Sequence, residues 1–247
     1  MKNLRILLYM FVAVFTLNSC TDEVDPQDTP YITFAESSMD VTFDQGGSST
    51  QSVVIYAANI TDQDRTVGIQ VNGASTDVDP AAYVVPTTVT IPAGSNEAML
   101  DINLTDVNMS PFAVQTLVVS IVADPMIYTG GDLTISVGLN CPNNGVKVKM
   151  VLGFDSWPEE VYWRLIDLDA GAIVLASSPT PAYGAYAGLA NTSLTIQECV
   201  NSGNYQLQIF DGYGDGGTSY VVSADGVQIA NVSASSYGGS TSVDFTL

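Results

Sequence analysis

Residues 203–217 read GNYQLQIFDGYGDGG. Tyr205, Leu207 and Ile209 alternate with Gln206, Gln208 and Phe210, the period-two pattern of a strand with one buried face. The strand runs into Asp211-Gly-Tyr-Gly-Asp215-Gly-Gly, where glycines allow positive φ and bring carbonyls close together. Two carboxylates four residues apart can turn towards one point, which is chemistry suited to a hard cation although the spacing is not that of an EF-hand. The competing reading is a metal-free acidic turn that caps a sandwich edge.

Working outward, Val146, Val148, Met150, Leu152 and Phe154 alternate with Lys147 and Lys149, and Val161, Trp163 and Leu165 repeat the pattern. Further strands are expected over 172–176, 192–197, 204–210, 219–223, 227–232 and 242–247, with Asp225-Gly226 as a two-residue hairpin turn. About eight strands suffice for a jelly-roll-like sandwich over residues 141–247. The run Asn140-Cys-Pro-Asn-Asn-Gly145 is made of turn formers and marks the boundary with what precedes it.

Residues 31–140 show short alternating runs and no helical periodicity. Strands are expected over 31–35, 40–43, 51–57, 66–72, 87–91, 98–104, 115–122 and 133–139, with Gly46-Gly47 and Ala93-Gly94 as hairpin turns. The fold class is therefore all-β, two antiparallel β-sandwich domains in series, the first immunoglobulin-like.

The first 19 residues have a charged start at Lys2 and Arg5 and an apolar run from Ile6 to Leu17, too short for a membrane span and shaped as a signal peptide. Residues 20–30 are acidic, contain two prolines and read as a tether. The whole chain of 247 residues carries 26 acidic and 6 basic side chains, a net charge of −20, and removal of the leader takes two of those bases with it. Such a chain repels nucleic acid and anionic membrane surfaces and attracts divalent cations. It has no histidine, which excludes Ser-His-Asp and Cys-His catalysis and the usual zinc sites.

Three resemblances add to this. Leu17-Asn-Ser-Cys20 resembles a lipobox, which implies that Cys20 is lipidated, and the acidic residues Asp22, Glu23 and Asp25 behind it resemble the export tag of Gram-negative surface lipoproteins. The implied location is the outer membrane, lipid-anchored and facing the cell exterior. Asp79-Pro-Ala-Ala-Tyr83, Val89-Thr-Ile91-Pro-Ala-Gly94 and Leu100-Asp-Ile-Asn-Leu104-Thr-Asp106 resemble Calx-β-like immunoglobulin sandwiches. The calcium clusters of true Calx-β domains are thin here, with Asp77, Asp79, Asp101 and Asp106 scattered, so this region reads as a spacer. Asp155-Ser-Trp157-Pro-Glu159-Glu160-Val-Tyr-Trp163, followed by Gly203-x-Tyr205 and Asp211-x-Tyr213-Gly-Asp215-Gly, resembles a repeating module of bacterial secreted and surface proteins. That likeness implies a small accessory β-sandwich and no particular reaction.

With Cys20 acylated, Cys141 and Cys199 form an even pair in an oxidising compartment and are a candidate disulfide, two buried free thiols being the alternative. The candidate metal ligands for calcium are Asp211 and Asp215, with Asp155 and one of Glu159 or Glu160 from a distant loop; backbone carbonyls and water would complete the six to eight oxygens calcium takes. Rings that could stack on a sugar include Trp157, Tyr162, Tyr183, Tyr186, Tyr213, Tyr220 and Tyr237. Trp157, beside Pro158, and Tyr183 and Tyr186, in a Pro- and Gly-rich loop, are those least committed to a core, and Tyr213 belongs to the acidic loop itself. Trp163 falls in the inward register.

Glu159 with Asp211 or Asp215 could be drawn as a glycosidase pair, but nothing in the sequence marks a cleft. The functional expectation is a non-catalytic, calcium-stabilised surface lipoprotein that binds an extracellular glycan. The alternative is a structural or adhesive protein that contacts other proteins.

Overall fold

The computed structural model describes residues 30–178 and 182–247, so the leader, Cys20 and most of the acidic tether lie outside the described residues. The first region contains β1 (Tyr31–Phe34), β2 (Ser38–Asp44), β3 (Ser48–Ala57), β4 (Arg65–Val71), β5 (Tyr83–Val84), β6 (Thr88–Ile91), β7 (Glu97–Thr105), β8 (Gln115–Ile121), β9 (Tyr128–Thr129) and β10 (Leu133–Asn140). They form two five-stranded sheets, β5-β7-β3-β1-β9 and β2-β10-β8-β4-β6. Strands β5 and β9 have two residues each, too short for an alternating pattern to reveal.

The chain changes sheet between β1 and β2: β1 pairs antiparallel with β3, whereas β2 runs parallel to β10 over seven residue pairs. Gly46-Gly47 and Ala93-Gly94 are turns but not hairpins. Each hands the chain from one sheet to the other, since β2 and β3, and likewise β6 and β7, belong to opposite sheets. The inner faces, Ile55, Ile91, Leu100, Ile102, Leu117 and Ile135 among them, meet in one core.

The second region contains β11 (Val146–Gly153), β12 (Val161–Asp167), β13 (Ala172–Ala176), β14 (Ser193–Val200), β15 (Asn204–Asp211), β16 (Ser219–Ala224), β17 (Val227–Val232) and β18 (Ser240–Thr246). They divide into two four-stranded sheets, β14-β11-β16-β17 and β13-β12-β15-β18. The β16–β17 turn is a true hairpin, with Asp225 at φ 45° and Gly226 at φ 82°, the double positive φ that a type I′ turn needs. Leu152, Trp163, Leu207, Ile209, Tyr220 and Val222 lie in its core. Cys141, just after β10, and Cys199, in β14, are joined by a disulfide across a sequence separation of 58. Among the described residues no helix is long and apolar enough to cross a membrane.

Candidate metal and ligand site

The site forms at one end of the second sandwich because β15 keeps its register one residue too long for an apolar core. Tyr205, Leu207 and Ile209 point inward and Asp211 follows them, 5% exposed and paired across the ladder with Val161. A buried carboxylate must be hydrogen-bonded or paired. Asp211 Oδ1 accepts the backbone N–H groups of Gly214 at 2.5 Å and Asp215 at 3.3 Å, so the glycine loop folds around its own first residue.

Glu159 and Glu160 arrive from the other direction. Pro158–Glu160 is a single 3₁₀ turn leading straight into β12, with proline at its first position, where no N–H is needed. The Glu160 carbonyl accepts the Gly212 N–H at 2.8 Å, which ties this turn to the acidic loop. Carboxylate oxygens of Glu160, Asp211 and Asp215 consequently lie within 4.8 Å of one another. Asp155 closes the far side. Its Oδ1 accepts the Trp157 N–H at 2.8 Å, and its carboxylate lies so close to Gly217 that a Cβ there would meet it.

The electrostatics match the geometry. Desolvation, then the negative charges of Asp211, Asp215, Asp155 and Glu159, raise the Glu160 carboxyl above its ordinary 4.5. Glu160, Asp211 and Asp215 thus form one cluster, and the charges of Asp155 and Glu159 bear on Glu160 from outside it. Clustered oxygen donors suit a hard divalent cation such as calcium. Beneath them lies a buried polar layer: the Tyr237 hydroxyl donates to the Thr218 carbonyl at 2.8 Å, and burial followed by the Asp211 charge holds that phenol up at about 12.

The aromatic candidates separate into two groups. Trp157, Tyr183 and Tyr213 are 57%, 53% and 79% exposed. Tyr213 lies in the acidic loop between Asp211 and Asp215, and the Tyr183 ring passes 3.5 Å from where a Gly212 Cβ would be; Trp157 is tied to Asp155 through its backbone N–H. Tyr186 is a correction. It is 8% exposed, accepts the Trp163 Nε1–H at 2.7 Å and packs its ring 4.9 Å from Phe154, so it belongs to the core and offers no ligand face. Tyr220 and Tyr237 are buried as well.

In the first sandwich the scattered aspartates are each engaged in local hydrogen bonds. Asp77 accepts from the Thr116 N–H, Asp79 from Ala81 and Asn108, Asp101 from Ser52 and Asp106 from Gly46. The bond from Asn108, then that from the Ala81 N–H, holds Asp79 below its ordinary value. They brace turns and strand edges.

Sequence reasoning passed over Arg164. It stands on the outer face of β12 opposite Gln208, with its guanidinium carbon 5.5 Å from the Phe210 ring centroid. The available signal was its outward register in β12, between the inward-facing Trp163 and Leu165.

No protein-family model matches the chain, and no curated protein matches its sequence. Solved structures of similar shape include a Bacteroides ovatus protein assigned provisionally to carbohydrate binding (12% identity, 85% of this chain and 72% of the other covered, TM-score 0.35). Others are CBD12 from CALX1.2 (10% identity, 73% and 81% covered, TM-score 0.37) and an auxiliary nutrient binding protein from Bacteroides thetaiotaomicron (10% identity, 85% and 91% covered, TM-score 0.33).

Proposed function

We propose that the chain is a non-catalytic binding protein of the cell surface, anchored through an acylated Cys20, whose second sandwich takes an extracellular glycan at a calcium-stabilised loop cluster. The observation that carries this reading is the cluster of Glu160, Asp211 and Asp215 with three exposed aromatics, Trp157, Tyr183 and Tyr213, on the loops that adjoin it. Flat rings supply stacking surface for a pyranose, and an ion shared by Glu160, Asp211 and Asp215 would fix the loops that present them. The first sandwich then serves as a spacer between membrane and ligand.

Catalysis through Asp211 is disfavoured on chemical grounds. A glycosidase needs one carboxylate free to attack, or to activate water, roughly 5–9 Å from an acid. Asp211 is buried, and its Oδ1 is already occupied by two backbone N–H groups.

The test is a glycan array on the wild type and on Trp157→Ala and Tyr213→Ala, with calcium and with chelator. Binding that requires calcium and weakens in both variants supports the proposal; an array without any calcium-dependent signal overturns it. Incorporation of labelled fatty acid that disappears in Cys20→Ala tests the anchor.

Protein contact is the second reading, and the outer face of the first sandwich favours it. Tyr31 and Tyr128 pair there across β1 and β9, and Tyr56 and Met99 are exposed on the neighbouring strands β3 and β7.

A further inference from the structure

The outer face of the β13-β12-β15-β18 sheet contains a recess of about 200 Å³ beside the acid cluster, whose walls among the described residues are Tyr162, Arg164, Tyr183 and Phe210. Tyr162, 3% exposed, lines the recess with its ring against Phe210, 5.5 Å between centroids. What points to a ligand is the one charged side chain in these walls. Arg164 is held in place without being neutralised. Its Nε donates to Gln208 Oε1 at 2.7 Å, Gln208 donates to Gln206 Oε1 at 2.5 Å, and Gln206 donates to Asp244 Oδ1 at 2.9 Å. The Phe210 ring supports the guanidinium from one side.

Among the described residues the two terminal amino groups of Arg164 make no hydrogen bond, and the side chain forms no ion pair. The chain has 26 acidic residues and 6 basic ones, and this guanidinium is fixed by an amide rather than by a carboxylate. The glutamine relay orients the fork and leaves its outer edge open, which is the geometry that takes a carboxylate through two parallel bonds.

We infer that this recess binds one acidic sugar residue, a uronate, with its carboxylate on the terminal amino groups of Arg164 and its ring against Tyr183. The volume falls below the roughly 300–1,000 Å³ of sites for drug-sized ligands, which fits a single ring of a longer chain. The acidic net charge opposes approach of an anion, but beyond about 8 Å that field is screened at physiological salt, and the guanidinium is in direct contact. The inference rests on the glycan-binding reading and narrows it from glycans in general to uronate-containing ones.

The test is calorimetric titration of the full chain, in one calcium-containing buffer, with trigalacturonate and with its carboxyl-reduced neutral counterpart. Wild type is expected to bind the acidic trisaccharide at least about tenfold more tightly. Arg164→Gln is expected to abolish that preference, Arg164→Lys to keep part of it, and Tyr183→Ala to weaken both ligands alike, with melting curves confirming that each variant is folded. Equal affinity for the two trisaccharides, or a preference that survives Arg164→Gln, overturns the inference and leaves glycan binding standing. Failure of every glycan on a mixed neutral and acidic array overturns both.

Discussion

The Trp163 indole nitrogen donates a 2.7 Å hydrogen bond to the Tyr186 hydroxyl inside the second sandwich, so a loop residue supplies the partner that a core tryptophan needs. Burial outweighs the bond in setting the Tyr186 phenol, which is raised above its ordinary value. Tyr186→Phe would leave the indole N–H unsatisfied and is expected to destabilise the chain by about 1–3 kcal/mol. Urea unfolding measures this. Glycan affinity should be unchanged, and a large loss of affinity without loss of stability would return Tyr186 to the ligand face.

Asp211 closes the glycine loop through two backbone N–H groups and contributes to the acid cluster. A ligand that binds only the folded state at a hundred times its Kd adds about 2.7 kcal/mol. Wild type should show that gain in calcium relative to chelator. Asp211→Asn, whose amide oxygen can still accept the loop bonds, should lose most of the gain while its metal-free melting temperature stays close to wild type. A calcium response unaltered by Asp211→Asn would remove this residue from the metal site.

Gly217 has φ +105°, and an added Cβ would run into the Asp155 carboxylate. Gly217→Ala therefore combines backbone strain with displacement of a candidate ligand, and about 1–3 kcal/mol of destabilisation is expected. Gly171 is the control. Its φ is +65° and nothing lies within 4 Å of an added Cβ, so Gly171→Ala carries the left-handed backbone penalty without touching the cluster. Only the Gly217 variant should also blunt the calcium shift in a thermal melt.

Alternation of apolar and polar residues was enough to expose most strands, since a strand with one buried face leaves a period-two trace whatever its neighbours. Strand order left no such trace. Gly46-Gly47 signals a reversal of direction but not whether the returning strand pairs in the same sheet, and here it crosses to the other. Tyr186 and Tyr162 were illegible for a related reason. The first lies in a loop without periodicity and is buried by its bond to Trp163; the second is in the outward register, yet is covered in a recess beside Phe210. Glu160, Asp211 and Asp215 were legible because the residues that gather them, glycines and a proline at the start of a short turn, are themselves visible in the sequence.

Cys141 and Cys199 close a loop with a separation of 58 residues, anchoring the segment after β10 to β14. Replacing both by alanine is expected to cost about 2–4 kcal/mol through the larger entropy of the unfolded chain. The transition assigned to the second sandwich should fall in urea while that of the first is unaffected. A uniform loss in both would mean that the bond couples the two sandwiches.

The pH dependence of calcium binding follows from Glu160. Its carboxyl is raised above 4.5 by desolvation and by four neighbouring carboxylates, so between 4.5 and that raised value the folded chain holds more protons than the unfolded one. Without metal, stability should therefore fall as pH rises through this window, the reverse of a salt-bridged carboxylate. Calcium competes with the same proton, so its apparent affinity should rise with pH across the window, and binding there should release protons. Titration calorimetry in two buffers of different ionisation enthalpy counts those protons. Glu160→Gln removes the repelled charge without removing an oxygen, and should raise the metal-free melting temperature while shrinking both the calcium shift and the proton release. A lower metal-free melting temperature in that variant would mean that Glu160 is held by attraction to a group other than its four acidic neighbours.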